Sequence, residues 1–576
     1  MPDLNAILDE CFRELSLEFE IERVDYVPRG GKKTRVEVPV WRIMMPAEVG
    51  GEVTDVEVFM AFPKGFPYEM PCVIIPDNRF RHLPHISFDD RKLCLYEDGI
   101  SYDAENIRGN IRDNLRKSRL WIETYADQDN SDEYAKEIKN YWRENYDGEE
   151  SVDDCTVLFG VLPDKTCKLH GFAYSKLDLD EDDSFLQRVF FESEDTPEVK
   201  YVKRRHKTVE FPALYLSSLI IPATPPFSLT GEQLIQRITQ KEDKQAFKSF
   251  INQNGEGHVL FSIGLSYVLG GVFIEKQNTN RKGFRKGMIT PYYVLTNFEN
   301  KNRHLKRLII SIFNSSRIAE RTAGELMRKH KFVIAGLGSV GSNLCFYLNG
   351  YNNAEFALLD RDRLNNDNIG RHLLGYEYLN QRKVHGVAHY LESYRPDRKV
   401  TTLNKHVQDV SPDIFNSASA IFICTGDVMS ERWLLNQMAE DAIRIPSFFL
   451  WLEPYGVSGI MVYVNPADKE SIARTEEKAK NDFMEYCLIE EQEYINGIKL
   501  IKRDAGCNGH YAPYSANDVT LFLSIMFPHI DQLLNNQTET KAYRWVGNID
   551  IAREKGIQLV PNAAGLEKHS VQELSV

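Results

Sequence analysis

The chain has 576 residues, which at roughly 150 residues per domain suggests about four units. Lys and Arg total 70 against 84 Asp and Glu, a net charge of −14. That balance argues against a protein whose main task is gripping nucleic acid, because neutralising phosphates needs a basic face. Hydrophobic residues make up 42% and aromatic residues 11%, enough for packed cores and too much for a mainly disordered chain.

The longest apolar stretch, Val259 to Ile274, is interrupted by Ser, Gly and Tyr. It falls short of a membrane span and reads as strands around a turn, so no membrane role is expected. The opening residues MPDLNAILDECF have no basic start followed by an apolar run, so no signal peptide is expected there. Nine Cys without a CxxC pair exclude a disulfide framework and a four-cysteine zinc site of the usual spacing. This usage fits a reducing cytoplasm, and each cysteine is to be judged as a possible nucleophile.

Three blocks follow in chain order. In the first, residues 1–146, Leu4 to Phe19 has helical spacing. Arg35 to Met45, Val53 to Phe62 and Cys72 to Ile75 read as strands. A loop rich in Pro, His and Asp leads to Lys92-Leu-Cys94-Leu-Tyr96, and Ile107, Ile111, Leu115, Leu120 and Ile122 mark a helix. The polar stretch from Asp127 to Asp154 reads as a boundary, partly helical around Tyr134 to Tyr146. The second block, residues 147–310, is rich in strand-like runs, and the sequence is silent on its role. Its acidic patch Asp178 to Asp183 and basic run Lys203 to Lys207 read as solvated loops.

The third block, residues 311–576, is the most legible. Lys331 to Ala335 is an apolar strand, Gly336-Leu-Gly338-Ser-Val-Gly341 a glycine turn, and Ser342 to Leu348 a helix. A second strand, Glu355 to Leu359, ends in Asp360. Strand, glycine turn, helix, strand and acid together specify a Rossmann-like nucleotide site. Glycines let the backbone approach a phosphate, the helix N-terminus offers free N–H groups, and the acid can accept ribose hydroxyls. Such a site carries NAD as readily as ATP, so the glycines do not choose the chemistry.

The residues after Asp360 bear on that choice. Asp360-Arg-Asp362-Arg-Leu-Asn-Asn-Asp-Asn368-Ile-Gly-Arg371, with Lys383 beyond, resembles the LxDxDxVxxxNxxR pattern of the ubiquitin-activating family and its bacterial adenylyltransferase relatives. Gly456-Val-Ser-Gly459-Ile-Met-Val-Tyr matches a further strand of that family, and the likeness spans about residues 315 to 530. The resemblance implies that Asp360 holds ribose and that Asn368, Arg371 and Lys383 contact the phosphates of ATP. Cations there would neutralise the triphosphate and its transition state. It also implies a homodimer in which Arg321, from Arg317-Ile-Ala-Glu-Arg321, reaches the partner subunit's site. The family's magnesium aspartate is displaced: Gly426 stands in its place, and Asp427 is the candidate Mg2+ ligand one residue on.

Two cysteines stand out. Asp504-Ala-Gly-Cys507-Asn-Gly-His510 is a glycine-rich stretch before a helix that Ser515 can cap, which favours Cys507 as an activated thiol. Cys487 sits in an acidic run that would raise its pKa, and Cys345 and Cys424 fall on core elements. The second candidate is Cys94. Phe62-Pro-Lys-Gly-Phe-Pro67-Tyr-Glu-Met-Pro71 resembles the proline pattern of ubiquitin-conjugating enzymes, and His85 with Leu93-Cys94-Leu95 resembles their active-site stretch. Ile86 falls where that family's oxyanion asparagine is expected, leaving His85 or a backbone N–H as substitutes.

The expected fold class is a multidomain α/β protein: an α+β ubiquitin-conjugating-like domain, a mixed α/β middle domain and a C-terminal Rossmann-like adenylation domain. A conjugating domain ahead of an activating one resembles the conjugation component of cyclic-oligonucleotide-based antiphage signalling systems. That resemblance implies ATP-dependent adenylation of a partner's C-terminal tail, that of a cGAS-like nucleotidyltransferase or a ubiquitin-like protein. Cys507 then captures the acyl group, and Cys94 passes it to a target lysine. Three other readings stay open: a sulfur-carrier adenylyltransferase with an N-terminal binding module, a non-catalytic adaptor, and a nicotinamide dehydrogenase.

Overall fold

The computed structural model describes residues 4–29, 31–96, 101–144, 156–177, 184–225, 227–285, 287–323, 329–503, 510–536 and 539–576. The acidic patch Asp178 to Asp183 and Cys507 lie outside the described residues. The chain divides into two compact units, Met1–Glu194 with His206–Phe313, and Asp195–Arg205 with Asn314–Val576. The first two sequence blocks, apart from Asp195–Arg205, therefore share one unit.

The first unit opens with the helix Leu4–Leu15, whose Leu8, Cys11, Phe12 and Leu15 are buried on one stripe. It packs against an antiparallel sheet of Glu20–Arg29, Lys32–Val49, Glu52–Ala61, Cys72–Ile74 and Lys92–Leu93, hydrogen-bonded in that order. In Lys32–Val49 the alternation Trp41, Ile43, Met45 and Ala47 buries one face against the helices. The helix Ile107–Tyr125 crosses the sheet and buries Ile111, Leu115, Trp121 and Ile122.

The rest of this unit is a mixed eight-stranded sheet. Its core hairpin, Gly257–Ile263 with Leu265–Ile274, turns at Gly264 with φ 63°. The apolar run at 259–274 is thus strand, turn, strand, buried from Val259 to Ile263 and again from Leu269 to Val272. Two short helices, Ser131–Lys136 and Ile138–Arg143, sit on the hydrophobic core that this sheet shares with Phe88.

The second unit is built on an eight-stranded sheet whose first five strands are parallel. Their order is Lys399–Leu403, Ala354–Leu359, His330–Ala335, Ala420–Ile423 and Ser447–Leu452. Chain direction across the sheet reverses beside His330–Ala335, the topological switch point at which open α/β sheets bind ligands. Ser458–Val464, Lys541–Val546 and Val571–Leu574 extend the sheet antiparallel.

The basic run at 203–207 departs from the solvated-loop reading. Residues Pro197–Arg205 form a helix, and Arg204 and Arg205 pair with Glu392 at 3.2 and 3.6 Å. Basic residues in a last turn complement the negative end of the helix dipole. Among the described residues, no helix is long and apolar enough to cross a membrane.

Candidate functional site

The three glycines of the turn do different work. Gly336 has φ 84°, and a Cβ there would lie 2.6 Å from the Thr425 nitrogen. A Cβ on Gly341 would lie 1.9 Å from the Gly336 carbonyl oxygen. Both are therefore packing requirements between the turn and the end of the neighbouring strand. Gly338 has nothing within 4 Å of a built Cβ, and it caps the helix Ser339–Leu348 without any side-chain bond. The first N–H groups of a ten-residue helix thus face open space, the arrangement that suits a phosphate. Asp360 accepts the Leu337 N–H on one oxygen and the Asp362 N–H on the other, both at 2.7 Å. Its carboxylate locks the turn to the second strand and keeps further lone pairs on each oxygen.

Beside the turn lies a cavity of about 690 Å3. Gly338, Asn368, Arg371 and Asp427 all line it, so the structure brings these four sequence candidates together. Asn368 accepts the Asn365 N–H on its side-chain oxygen at 3.3 Å in a reciprocal capping box, which leaves its NH2 to donate elsewhere. Arg371 donates to the Ala512 carbonyl at 3.0 Å and lies 4.6 Å from the centre of the Tyr514 ring. The Tyr514 hydroxyl in turn bonds Ser339 Oγ at 2.6 Å. His372 accepts the Leu374 N–H on Nδ1 and donates from Nε2 to the Leu337 carbonyl. Burial pushes its pKa down to about 4, so this imidazole is neutral.

Asp427 is exposed and caps the helix Val428–Ala439, accepting from Met429 N–H, Ser430 N–H and Ser430 Oγ. Gly426, at φ 60°, makes the left-handed step that sets it there. Among the described residues no three His, Cys, Asp or Glu side chains are grouped to hold a metal ion. A magnesium ion bound through substrate phosphates needs only one or two carboxylates, so Asp427 fits that role.

Sequence reasoning missed three residues of this cavity. Ser339 follows Gly338 directly and was available as a signal. Tyr514 is distant in sequence and reaches Arg371 only through the fold. Glu431 sits one turn along the helix from Asp427, is 4% exposed, and its carboxyl has no hydrogen-bond partner among the described residues. Burial, with Asp427 and Asp482 adding repulsion, pushes its pKa up to about 8.

Lys383, Arg321 and Cys345 lie outside the cavity lining, whereas Cys424 and Cys487 are part of it. Lys383 begins the helix Lys383–Tyr394, is largely buried and pairs with Asp362 at 3.1 Å. Arg321 is exposed on the helix Ser315–Ala323. Cys345, Cys424 and Cys487 are buried, and burial pushes each thiol up, which suits structural cysteines. The Cys487 shift comes from burial first and from Glu453 second, rather than from the acidic run around it.

In the first unit, Cys94 is exposed just beyond the strand Lys92–Leu93. Its thiol contacts the Tyr96 carbonyl at 3.6 Å, and its N–H donates to the His85 carbonyl at 2.8 Å. The His85 ring lies by Glu137 at 3.3 Å and Glu133 at 3.8 Å, and the His85 backbone N–H donates to the Tyr141 hydroxyl at 2.9 Å. The amides of both His85 and Cys94 are thus already bonded within the protein.

Two family models match this chain. Residues 314–508 match the ThiF family, and residues 37–149 match prokaryotic E2 family B. The chain joins an E2-like segment to a ThiF-type one. The ThiF match contains the glycine turn and the cavity residues from Gly338 to Asp482, and the E2 match contains Cys94. A curated relative, the adenylyltransferase and sulfurtransferase uba4 of Aspergillus niger, is 28% identical over 115 residues, covering 20% of this chain and 24% of its own. The chain therefore spans about a quarter of that relative. Among solved structures, PaaA aligns at 13% identity and TM-score 0.29, covering 42% of this chain and 63% of its own. E. coli MccB with ATP aligns at 13% and 0.27, covering 40% and 62%. The chain thus spans less than two thirds of each.

Proposed function

We propose that the ThiF-type segment adenylates the C-terminal carboxylate of a partner protein with ATP, and that the E2-like segment transfers the activated tail to an amine. The observation that carries this is one cavity holding uncapped helix N–H groups, Asn368, Arg371 and Asp427 together. In this reading a tail carboxylate oxygen attacks the α-phosphorus, its bond to the bridging oxygen breaks, and pyrophosphate leaves. The helix N–H groups, the Asn368 NH2 and the Arg371 guanidinium bind the phosphates as charge shifts among their oxygens. Mg2+, when bound through Asp427, would neutralise phosphate charge. Lys383 and Arg321 supply further cations, the latter across a homodimer. Cys507 then attacks the acyl carbon and AMP departs. The Cys94 thiolate displaces Cys507, and a lysine amine displaces Cys94.

The fused arrangement supports a finer reading: the tail is that of a cGAS-like nucleotidyltransferase in cytoplasmic antiphage defence. The printed name of the A. niger relative favours a second reading, adenylation for sulfur transfer, in which Cys94 is dispensable.

ATP–pyrophosphate exchange with candidate partners tests the proposal. Partner-dependent exchange is expected and should fall by about a hundredfold in Lys383→Ala, the scale of losing one preorganised charge contact in an active site. Absence of exchange with every candidate would sink the adenylation reading.

A further inference from the structure

The loop beside Cys94 is held from outside its own sheet. Residues His82 to Phe88 carry the carbonyl that bonds the Cys94 N–H, and they hold few regular backbone pairs of their own. His85 at φ 63° and Arg91 at φ 57° both sit in the left-handed region, which a non-glycine residue keeps only where its surroundings over-determine it.

Those surroundings come largely from the helices Ser131–Lys136 and Ile138–Arg143. Tyr134 Oη donates to the His82 carbonyl. Tyr141 Oη accepts from the His85 N–H at 2.9 Å and donates to Glu137 at 3.2 Å. Glu144 accepts the Phe88 N–H at 3.0 Å. The crossing helix adds one bond, Trp121 Nε1 to the Pro84 carbonyl at 2.8 Å.

These two helices are themselves anchored on the middle sheet and its flanking loop. Tyr141 stacks on Phe227 at 5.1 Å, Trp142 Nε1 donates to the Leu308 carbonyl at 3.1 Å, and the buried Arg307 donates to the Glu144 and Phe227 carbonyls. An unbroken chain of contacts therefore leads from the middle sheet to the peptide next to Cys94.

We infer that Ser131–Arg143, seated on the middle sheet, is a positioning clamp for the Cys94 loop, and that the Tyr141 hydroxyl is its key positioning group. The inference rests on the conjugation reading of Cys94 and assigns the middle segment a part in transfer. Ile86 stands where the conjugating family places its asparagine, and the clamp supplies the order from the opposite side. Transfer is sensitive to such order, because a thioester and an amine must meet in a narrow range of geometry.

Tyr141→Phe in the full chain tests it. The ring keeps its stack on Phe227, and the hydroxyl's bonds to the His85 N–H and to Glu137 are lost. Hydrogen exchange across residues 82–94 should rise about tenfold, the scale of one lost hydrogen bond, with the melting temperature within a few degrees of wild type. Pyrophosphate exchange and loading of Cys94 should be unchanged. Discharge of the Cys94 thioester to free lysine should slow about tenfold, a split between loading and discharge that a merely structural lesion would not make. Unchanged hydrogen exchange at 82–94, or discharge at the wild-type rate, would overturn the clamp. A wild-type protein that forms no thioester on Cys94 would instead remove the conjugation reading, while hydrogen exchange still decides whether the clamp exists.

Discussion

Glu431 shows how one side chain can record the cost of building this cavity. It is buried, faces Asp427 and Asp482 electrostatically, and has its pKa pushed up to about 8, chiefly by loss of water. In the unfolded chain a glutamate titrates near 4.3. The folded state therefore binds the proton more tightly across that interval, and stability falls as pH rises from the unfolded value through about 8. Glu431→Gln removes the titration. It should melt with wild type at pH 4 and be more stable at pH 8, by on the order of 3 kcal/mol. Parallel melting curves for the two proteins across that range would refute the assignment. His372 acts in the opposite sense. Its pKa is pushed down to about 4, so its contribution is lost as pH falls from about 6.5. Between about pH 4.3 and 6.5 the two contributions therefore run in opposite directions and partly offset each other.

At the scale of elements, the helix Val428–Ala439 would tie the proposed magnesium binding to capping through one residue. Asp427 accepts two backbone N–H groups at its N-terminus and also faces the cavity. Asparagine caps a helix as well as aspartate does, whereas alanine costs about 1 kcal/mol. Asp427→Asn should thus melt with wild type, and Asp427→Ala should lose about that much in chemical denaturation. Both should lose magnesium-dependent pyrophosphate exchange by about a hundredfold. Full exchange in Asp427→Asn would take the metal role away from this residue and leave the cap alone. Gly426 is explained by the same geometry: with φ at 60°, a carboxylate residue in its place would be strained. A nearby element shows how cations are placed. Lys383, held at the start of its helix by Asp362, is fixed by an ion pair rather than by the cavity wall.

At the scale of the molecule, the proposed pathway joins thiols on different segments, and blocking one step should leave the earlier ones intact. Cys94→Ala should keep pyrophosphate exchange and accumulate a dithiothreitol-sensitive adduct on Cys507. Cys507→Ala should keep exchange and carry no adduct. Loading of Cys94 in Cys507→Ala, seen by gel shift with and without dithiothreitol, would show that the order of the thiols is wrong. Much of the framework behind these experiments was legible in the sequence, because it is local. The strand and turn at 331–341, the acid at 360 and the capping box at Ser515 and Asp518 are set by residues a few positions apart. Helix and strand periodicity likewise marked Ile107–Tyr125 and the hairpin at Gly264. The long strand Glu20–Arg29 went unread, because its charged residues face solvent at an edge and leave little apolar alternation. The helix Pro197–Arg205 was read in part as a loop for a similar reason: its basic end is matched by Glu392, far away in sequence. Sequence by itself determined the kinds of chemistry available, because glycine turns, acids and thiols carry their chemistry in short spacings. Only the tertiary structure decided which of them meet. Tyr514 under Arg371, the desolvation of Glu431, and the clasp of Tyr141 on the His85 peptide all depend on distant chain segments sharing excluded, low-dielectric space.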